Sequence, residues 1–224
     1  MANVARGTQR RTDALTRERI VTVAIELLDS VGEGGLTFRA LASMLGTGHG
    51  AIQWHIANKG ELLTAATEAV ISRALAGTDP HQAPRDAIRA LALGVFGAIE
   101  QHPWVGGQLT RPPWHATMLD IFELVGRQVR ALGVPIEARF TATSALLVHI
   151  IGAGSQQATN SLSPEAENDR QEFLDQLSAR WADLDPQKYE FTRSIVEQLR
   201  VHDDRVEFLA GIDLILAGLP QTRC

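Results

Sequence analysis

The chain has 224 residues and a net charge of −5, with 45% hydrophobic and 21% charged residues, enough apolar material for one large domain or for a small and a medium one. No run of about 18 apolar residues occurs, so no membrane-spanning helix is expected, and the polar, basic opening from Met1 to Thr12 lacks the apolar stretch of a secretory signal. The one cysteine, Cys224, is the last residue; a lone thiol can neither staple a fold nor build a metal site, which fits a reducing cytoplasm, and no metal or cofactor is expected.

Nearly every segment has helical length and period, and none shows sustained alternation with β-branched residues, so the chain reads as all-α. Thr16 caps a first helix to about Val31, with Ile20, Ala24, Ile25, Leu28 and Val31 on one face, before Gly32, Gly34 and Gly35 break it. Thr37 caps a short second helix in which Phe38, Leu41, Ala42 and Leu45 recur at helical spacing, and Gly46 ends it. The glycine-rich run Gly46 to Gly50 leads into a one-to-two-turn helix through His55, with Ala51 and Ile52 as its apolar back. Asn58 to Glu61 has the form of a capping box opening a longer helix to about Ala76. A polar linker with two prolines, Gly77 to Pro84, lies near the domain boundary.

Beyond it, a helix is expected from Pro84 to about His102, then an irregular stretch from Pro103 to Trp114, a helix from Thr117 to Leu132, and a long one from Pro135 to about Ala158. Residues 159–170 read as a polar loop. Ser163-Pro164-Glu165 and Asp185-Pro186 have the N-cap-plus-proline form that opens helices. The last helix begins near Asp204 and carries Phe208, Leu209, Ile212, Ile215, Leu216 and Leu219.

Charge is uneven along this frame: residues 1–60 sum to +2 and the remainder to −7, a pattern that suits an anion-binding N-terminus on an acidic body. Residues 37–55 are two short helices joined by a glycine turn, the form of a helix-turn-helix whose second helix enters a major groove about 12 Å wide. Its outward side offers His49, Gln53 and His55 as hydrogen-bonding groups and the indole N–H of Trp54. Thr37 and Arg39, and Lys59 at the start of the fourth helix, are placed for phosphates.

The run Leu41-Ala42-Ser43-Met44-Leu45-Gly46, continuing through Gln53-Trp54-His55 to Asn58-Lys59-Gly60-Glu61-Leu62-Leu63, resembles the TetR family of bacterial regulators over about residues 16–70. The resemblance implies an all-helical homodimer with an N-terminal helix-turn-helix and a ligand cavity in the C-terminal part. It makes Thr37, Arg39, Thr47, Gly48, His49, Gly50, Gln53, Trp54, His55 and Lys59 the DNA-contacting set. Two positions depart from the family pattern: Gln53 replaces a phosphate-binding tyrosine, and Gly48 replaces a capping serine or threonine. Glycines at 48 and 50, at about 1 kcal/mol each inside a helix, predict a recognition helix that DNA must order. Thr110-Arg111-Pro112 matches a segment of the tetracycline-responsive subgroup, but Gly107 stands where that subgroup has a metal-binding histidine, which argues against a metal–tetracycline ligand.

The resulting division is a basic arm (1–15), a helix-turn-helix DNA-binding domain (16–60) and a helical ligand-binding and dimerisation domain (61–224). Large hydrogen-bonding side chains cluster around the irregular stretch, so the candidate ligand residues are His102, Trp104, Gln108, Arg111, Trp114 and His115, with Met118 and Phe122 one and two turns on. His149 and Gln156 share a face of the long helix, where a buried histidine needs either a ligand or a structural partner. Ala138, Ala142, Ala145 and Gly152 form a small-residue stripe that, with the broadly apolar last helix, suggests a four-helix interface between two copies. The partners expected are operator DNA, a small-molecule effector and a second copy, with no membrane. A ligand-released repressor leads; an activator or ligand-independent regulator of the same fold stays open, and a helical-bundle enzyme is the distant alternative, since no paired Glu-x-x-His, nucleophile pair or phosphate loop occurs.

Overall fold

A computed structural model describes residues 15–77, 82–111, 116–161 and 170–220. These form twelve helices and no strand. Helix α1, Arg17–Gly35, opens on Thr16, whose side chain accepts from the Arg19 amide, and is broken inside by Gly32 at φ 67°. The helix predicted to stop near Val31 therefore does kink there. Thr37 caps α2, Phe38–Leu45, by accepting from the Ala40 amide at 3.1 Å. Gly46 closes α2 at φ 62°, a left-handed conformation that a side chain would strain, and Thr47 N–H reaches back to the Ala42 carbonyl at 3.0 Å.

Helix α3, His49–His55, starts from Gly48 without a side-chain cap. Gly48 thus lies at the N-cap, where glycine is tolerated, and Gly50 alone of the two glycines weakens the helix interior. Ile52 and the following Ile56 are buried, whereas Ala51 is exposed, so the apolar back is Ile52 with Ile56 rather than Ala51 with Ile52. Asn58 caps α4, Lys59–Leu75. The box closes one residue early: Glu61 accepts from the Ala57 amide at 2.8 Å and from Arg17 at 3.0 Å, tying the starts of α1 and α4 together.

The larger part is layered around α5, Pro84–Gln101, and the long α8, Ile136–Ser161, with α7, Ala116–Ala131, and α12, Asp204–Ala217, packed on the pair. Residues such as Val95, Phe96, Ile99, Val125, Leu146, Ile150 and Ile212 bury there. The last helix begins as predicted, with Asp203 accepting from the Arg205 and Val206 amides.

Three local expectations differ from the structure. The irregular stretch after His102 contains a six-residue helix α6, Trp104–Leu109. Helix α8 runs through residues 159–161, three residues into the predicted loop. Asp185-Pro186 makes a turn instead of a helix, because the Asp185 side chain accepts from the Gln187 amide and its carbonyl from those of Lys188 and Tyr189. Chain then continues in α9, Arg170–Ala182, and the short α10, Glu190–Ser194, and α11, Val196–Arg200. Ser163-Pro164-Glu165, most of the N-terminal arm, Trp114 and His115 lie outside the described residues.

Candidate nucleic-acid interface and effector region

Docking Ile52 and Ile56 into the core turns the rest of α3 outward. Trp54 is 85% exposed, an unusual position for an indole in a protein with buried apolar residues to spare. His49, Gly50 and Gln53 are exposed beside it, and His55 is half-buried with its ring edge-on to Trp54 at 5.2 Å. His49 is braced from behind by Phe38, at a ring-centroid distance of 5.3 Å. Thr37 and Arg39 are exposed at the start of α2, and Thr47 is half-buried in the turn. Arg39 has no carboxylate partner among the described residues. Lys59 is half-buried and its Nζ donates to the Glu33 carbonyl at 2.6 Å, so it fixes the end of α1 beyond the Gly32 break.

The eight predicted ligand residues that fall among the described residues do not converge on one cavity. His102 and Trp104 both point at Asp29, near the end of α1: His102 Nδ1 lies 2.8 Å from its Oδ1, and the Trp104 indole donates to the same oxygen at 2.8 Å. One turn further on, Arg111 makes a two-pronged pair with Glu33, at 3.0 and 2.8 Å, and Gln108 Nε2 adds a bond at 3.0 Å. Four of the predicted residues therefore bind carboxylates of the N-terminal helical unit. The hydrogen bonds from Arg111, with help from Gln108, hold the Glu33 carboxyl below its ordinary value.

The missed members of this contact are Asp29 and Glu33. Their signal was present: acids at the end of a helix meet the negative end of its dipole and call for a compensating donor.

His149 and Gln156 line a separate cavity of about 260 Å³ with Phe96, His202 and Phe208. His149 has a structural partner there, since its Nε2 donates to the Phe208 carbonyl at 3.2 Å and its ring stacks on Phe208 at 5.5 Å. Met118 lies instead on a mostly apolar groove of about 340 Å³ between α6, α7 and α8, with Leu109, Thr110, Leu147, Ile151 and Ser155. Phe122 packs near Phe140 at 6.0 Å. The groove walls were legible only as the apolar run Leu146 to Ile151, which also serves as core.

Of the small-residue stripe on α8, Ala142 is buried inside its own subunit, while Ala145 and Gly152 are exposed. They share an outward face with Val148, 71% exposed. On α12 the outward residues include Val206, Ala210 and Leu214, the last 75% exposed.

An all-helical body carrying an outward-facing helix-turn-helix defines a DNA-binding transcriptional regulator. The chain is 54% identical to the TetR regulator SCO7222 of Streptomyces coelicolor, whose solved structure it matches with a TM-score of 0.83 over 92% of this chain and 97% of that one. It belongs to the TetR family and is not an enzyme. It is also 29% identical to an HTH-type transcriptional regulator of Saccharopolyspora erythraea, over 75% of this chain and 72% of that protein. Likeness to the class C tetracycline repressor of Escherichia coli, 43% identical, is confined to 72 residues, 32% of this chain and 31% of the repressor. The S. coelicolor TetR family protein ActR, solved in complex with actinorhodin, shares the fold at a TM-score of 0.72 and 22% identity, over 92% of this chain and 96% of that one. No family model matches the chain. No helix among the described residues is long and apolar enough to cross a membrane.

Proposed function

We propose that the protein is a homodimeric repressor that holds operator DNA with two copies of α3 and leaves it when a small hydrophobic effector enters the domain beyond residue 60. The observation that carries this reading is the exposed α3 face, with Trp54, Gln53 and His49 outward on a helix anchored by Ile52. In this reading His49, Gln53, Trp54 and His55 meet base edges or adjacent backbone. Thr37, Arg39, Thr47, Lys59 and the amides of Gly48 and Gly50 meet phosphates. Residues 16–60 form the DNA-binding domain, 1–15 a basic arm, and 61–224 the effector and dimerisation domain.

Pairing through α8 and α12 is supported by the apolar residues left outward on both, Val148 and Leu214 among them. Such a dimer presents its two α3 helices to successive major grooves, about 34–36 Å apart or more. An effector is supported by the groove beside α6 and by the contacts that join α6 to α1. The relative ActR binds actinorhodin, and an effector for this chain is in keeping with that. A cytoplasmic location follows from this role.

Selection from random duplex DNA with the full-length protein tests the reading. It predicts enrichment of a two-half-site sequence, and a reporter driven by that site should rise when the gene is deleted. Recovery of DNA with no common sequence would overturn it; a reporter that falls on deletion would make the protein an activator.

A further inference from the structure

The apolar groove between α6, α7 and α8 does not stand alone. A more open basin of about 400 Å³ lies on the other side of α6, lined by Glu33, Trp104, Gln108 and Arg111. Thr110 and Ser155 belong to both walls, so the two hollows adjoin at the end of α6. The Ser155 hydroxyl, at that shared wall, is buried without a hydrogen-bond partner among the described residues, a state that favours an incoming polar group.

Chemistry at the basin end is specific. Arg111 is the one cation in its described lining, and Gln108, only 4% exposed, presents its amide beside it. Both already grip a carboxylate, that of Glu33, Arg111 in the fork geometry that guanidinium makes with carboxylates and Gln108 through one amide hydrogen bond. This pair is partly in water, with side-chain exposures of 50% for Arg111 and 34% for Glu33. An ion pair so placed is weak enough for a competitor to exchange.

We propose that the effector is an amphipathic carboxylate whose apolar body lies against Leu109, Met118, Leu147 and Ile151 and whose carboxylate takes Arg111 and Gln108 from Glu33. This rests on the reading of the protein as an effector-released regulator and names the chemistry of that effector. Glu33 sits just after the Gly32 kink and four residues before Thr37, the cap of α2. Losing Arg111 and Gln108 frees the end of α1 from α6 and its flanks, leaving, among the described residues, the His102 and Trp104 contacts to Asp29. Binding energy thus couples to the helix-turn-helix only through the state in which Glu33 is released.

Titration calorimetry of the full-length protein with matched pairs tests this: 2-naphthoate against 2-naphthamide, and decanoate against decanamide. Each carboxylate should bind at least tenfold more tightly than its amide. Glu33→Gln, which weakens the internal competitor, should tighten carboxylate binding several-fold, whereas Arg111→Gln should abolish the preference over the amide. A merely structural pair would move both variants in the same direction, and that result overturns the proposal. So does equal affinity for acid and amide, or binding of neither. Operator binding is measured in parallel. Retained operator binding without carboxylate preference removes this effector and leaves the regulator; carboxylate preference without operator binding does the reverse.

Discussion

Lys59 shows how one side chain can serve two ends. Its ammonium donates to the Glu33 carbonyl at 2.6 Å while staying close to the helix-turn-helix surface. Replacing it with alanine should weaken every DNA site about equally through loss of a phosphate contact. It should also lower the melting temperature, because a charged hydrogen bond worth about 1.5–3 kcal/mol is lost. His49→Ala, on the exposed face, should change sequence preference by about 1–3 kcal/mol at one base position with little change in melting. Binding profiles of both variants across a randomised operator, with melting curves alongside, check the contrast; identical profiles would remove the assigned roles. Ile52 is fully buried, and Ile52→Ala should destabilise the protein by about 2–5 kcal/mol in denaturant unfolding.

At the scale of elements, α8 and α12 approach closely where Gly211 faces His149. A Cβ at position 211 would fall 2.5 Å from the imidazole, whose ring is held by the Phe208 carbonyl and by stacking. Gly211→Ala should therefore push α12 away from α8, lowering stability and the dimer fraction together. Restoration by the double variant Gly211→Ala, His149→Ala would assign the effect to this contact.

The α1–α6 contact is also pH-dependent. Glu33 is held below its ordinary carboxyl value by Arg111, so its contribution is fully present above the unfolded value of about 4.3 and is lost as pH falls through the folded one. Wild type should melt above Glu33→Gln at pH 7, and the gap should narrow below about pH 4.3.

Elements set by neighbouring residues were legible in the sequence. Thr16, Thr37 and Asn58 each cap the helix they precede, because a cap depends on a hydrogen bond only three residues long. Asp185-Pro186 offered the same local form but closed a turn, since its side chain and carbonyl are both satisfied within four residues. His102, Trp104, Gln108 and Arg111 were recognisable as a polar, aromatic cluster, yet their partners lie more than 70 residues away. Periodicity carries no information about a pairing at that distance. The helix-turn-helix was legible because its whole logic, from cap and glycine turn to buried Ile52, fits within about twenty residues.

The whole molecule joins an acidic body to a positively charged N-terminal part. Residues 1–60 sum to +2 within a chain of net charge −5, so attraction to DNA is local to one end and depends on orientation. Presenting that end twice is what gives a regulator its reach across two half-sites. Val148 and Leu214, both more than 70% exposed on α8 and α12, are the residues whose burial would hold the copies together. The double variant Val148→Asp, Leu214→Asp should sediment as a monomer with its helical circular dichroism intact, and bind a full operator far more weakly than wild type.

Sedimentation velocity of wild type on a fluorescent duplex carrying the selected site, over a range of salt concentrations, tests paired insertion of α3 most directly. The account predicts two protomers per site and an affinity that falls steeply with salt. It also predicts that Trp54→Ala loses specific binding while remaining a dimer. One protomer per site, or a Trp54→Ala protein that binds its operator as wild type does, would contradict it.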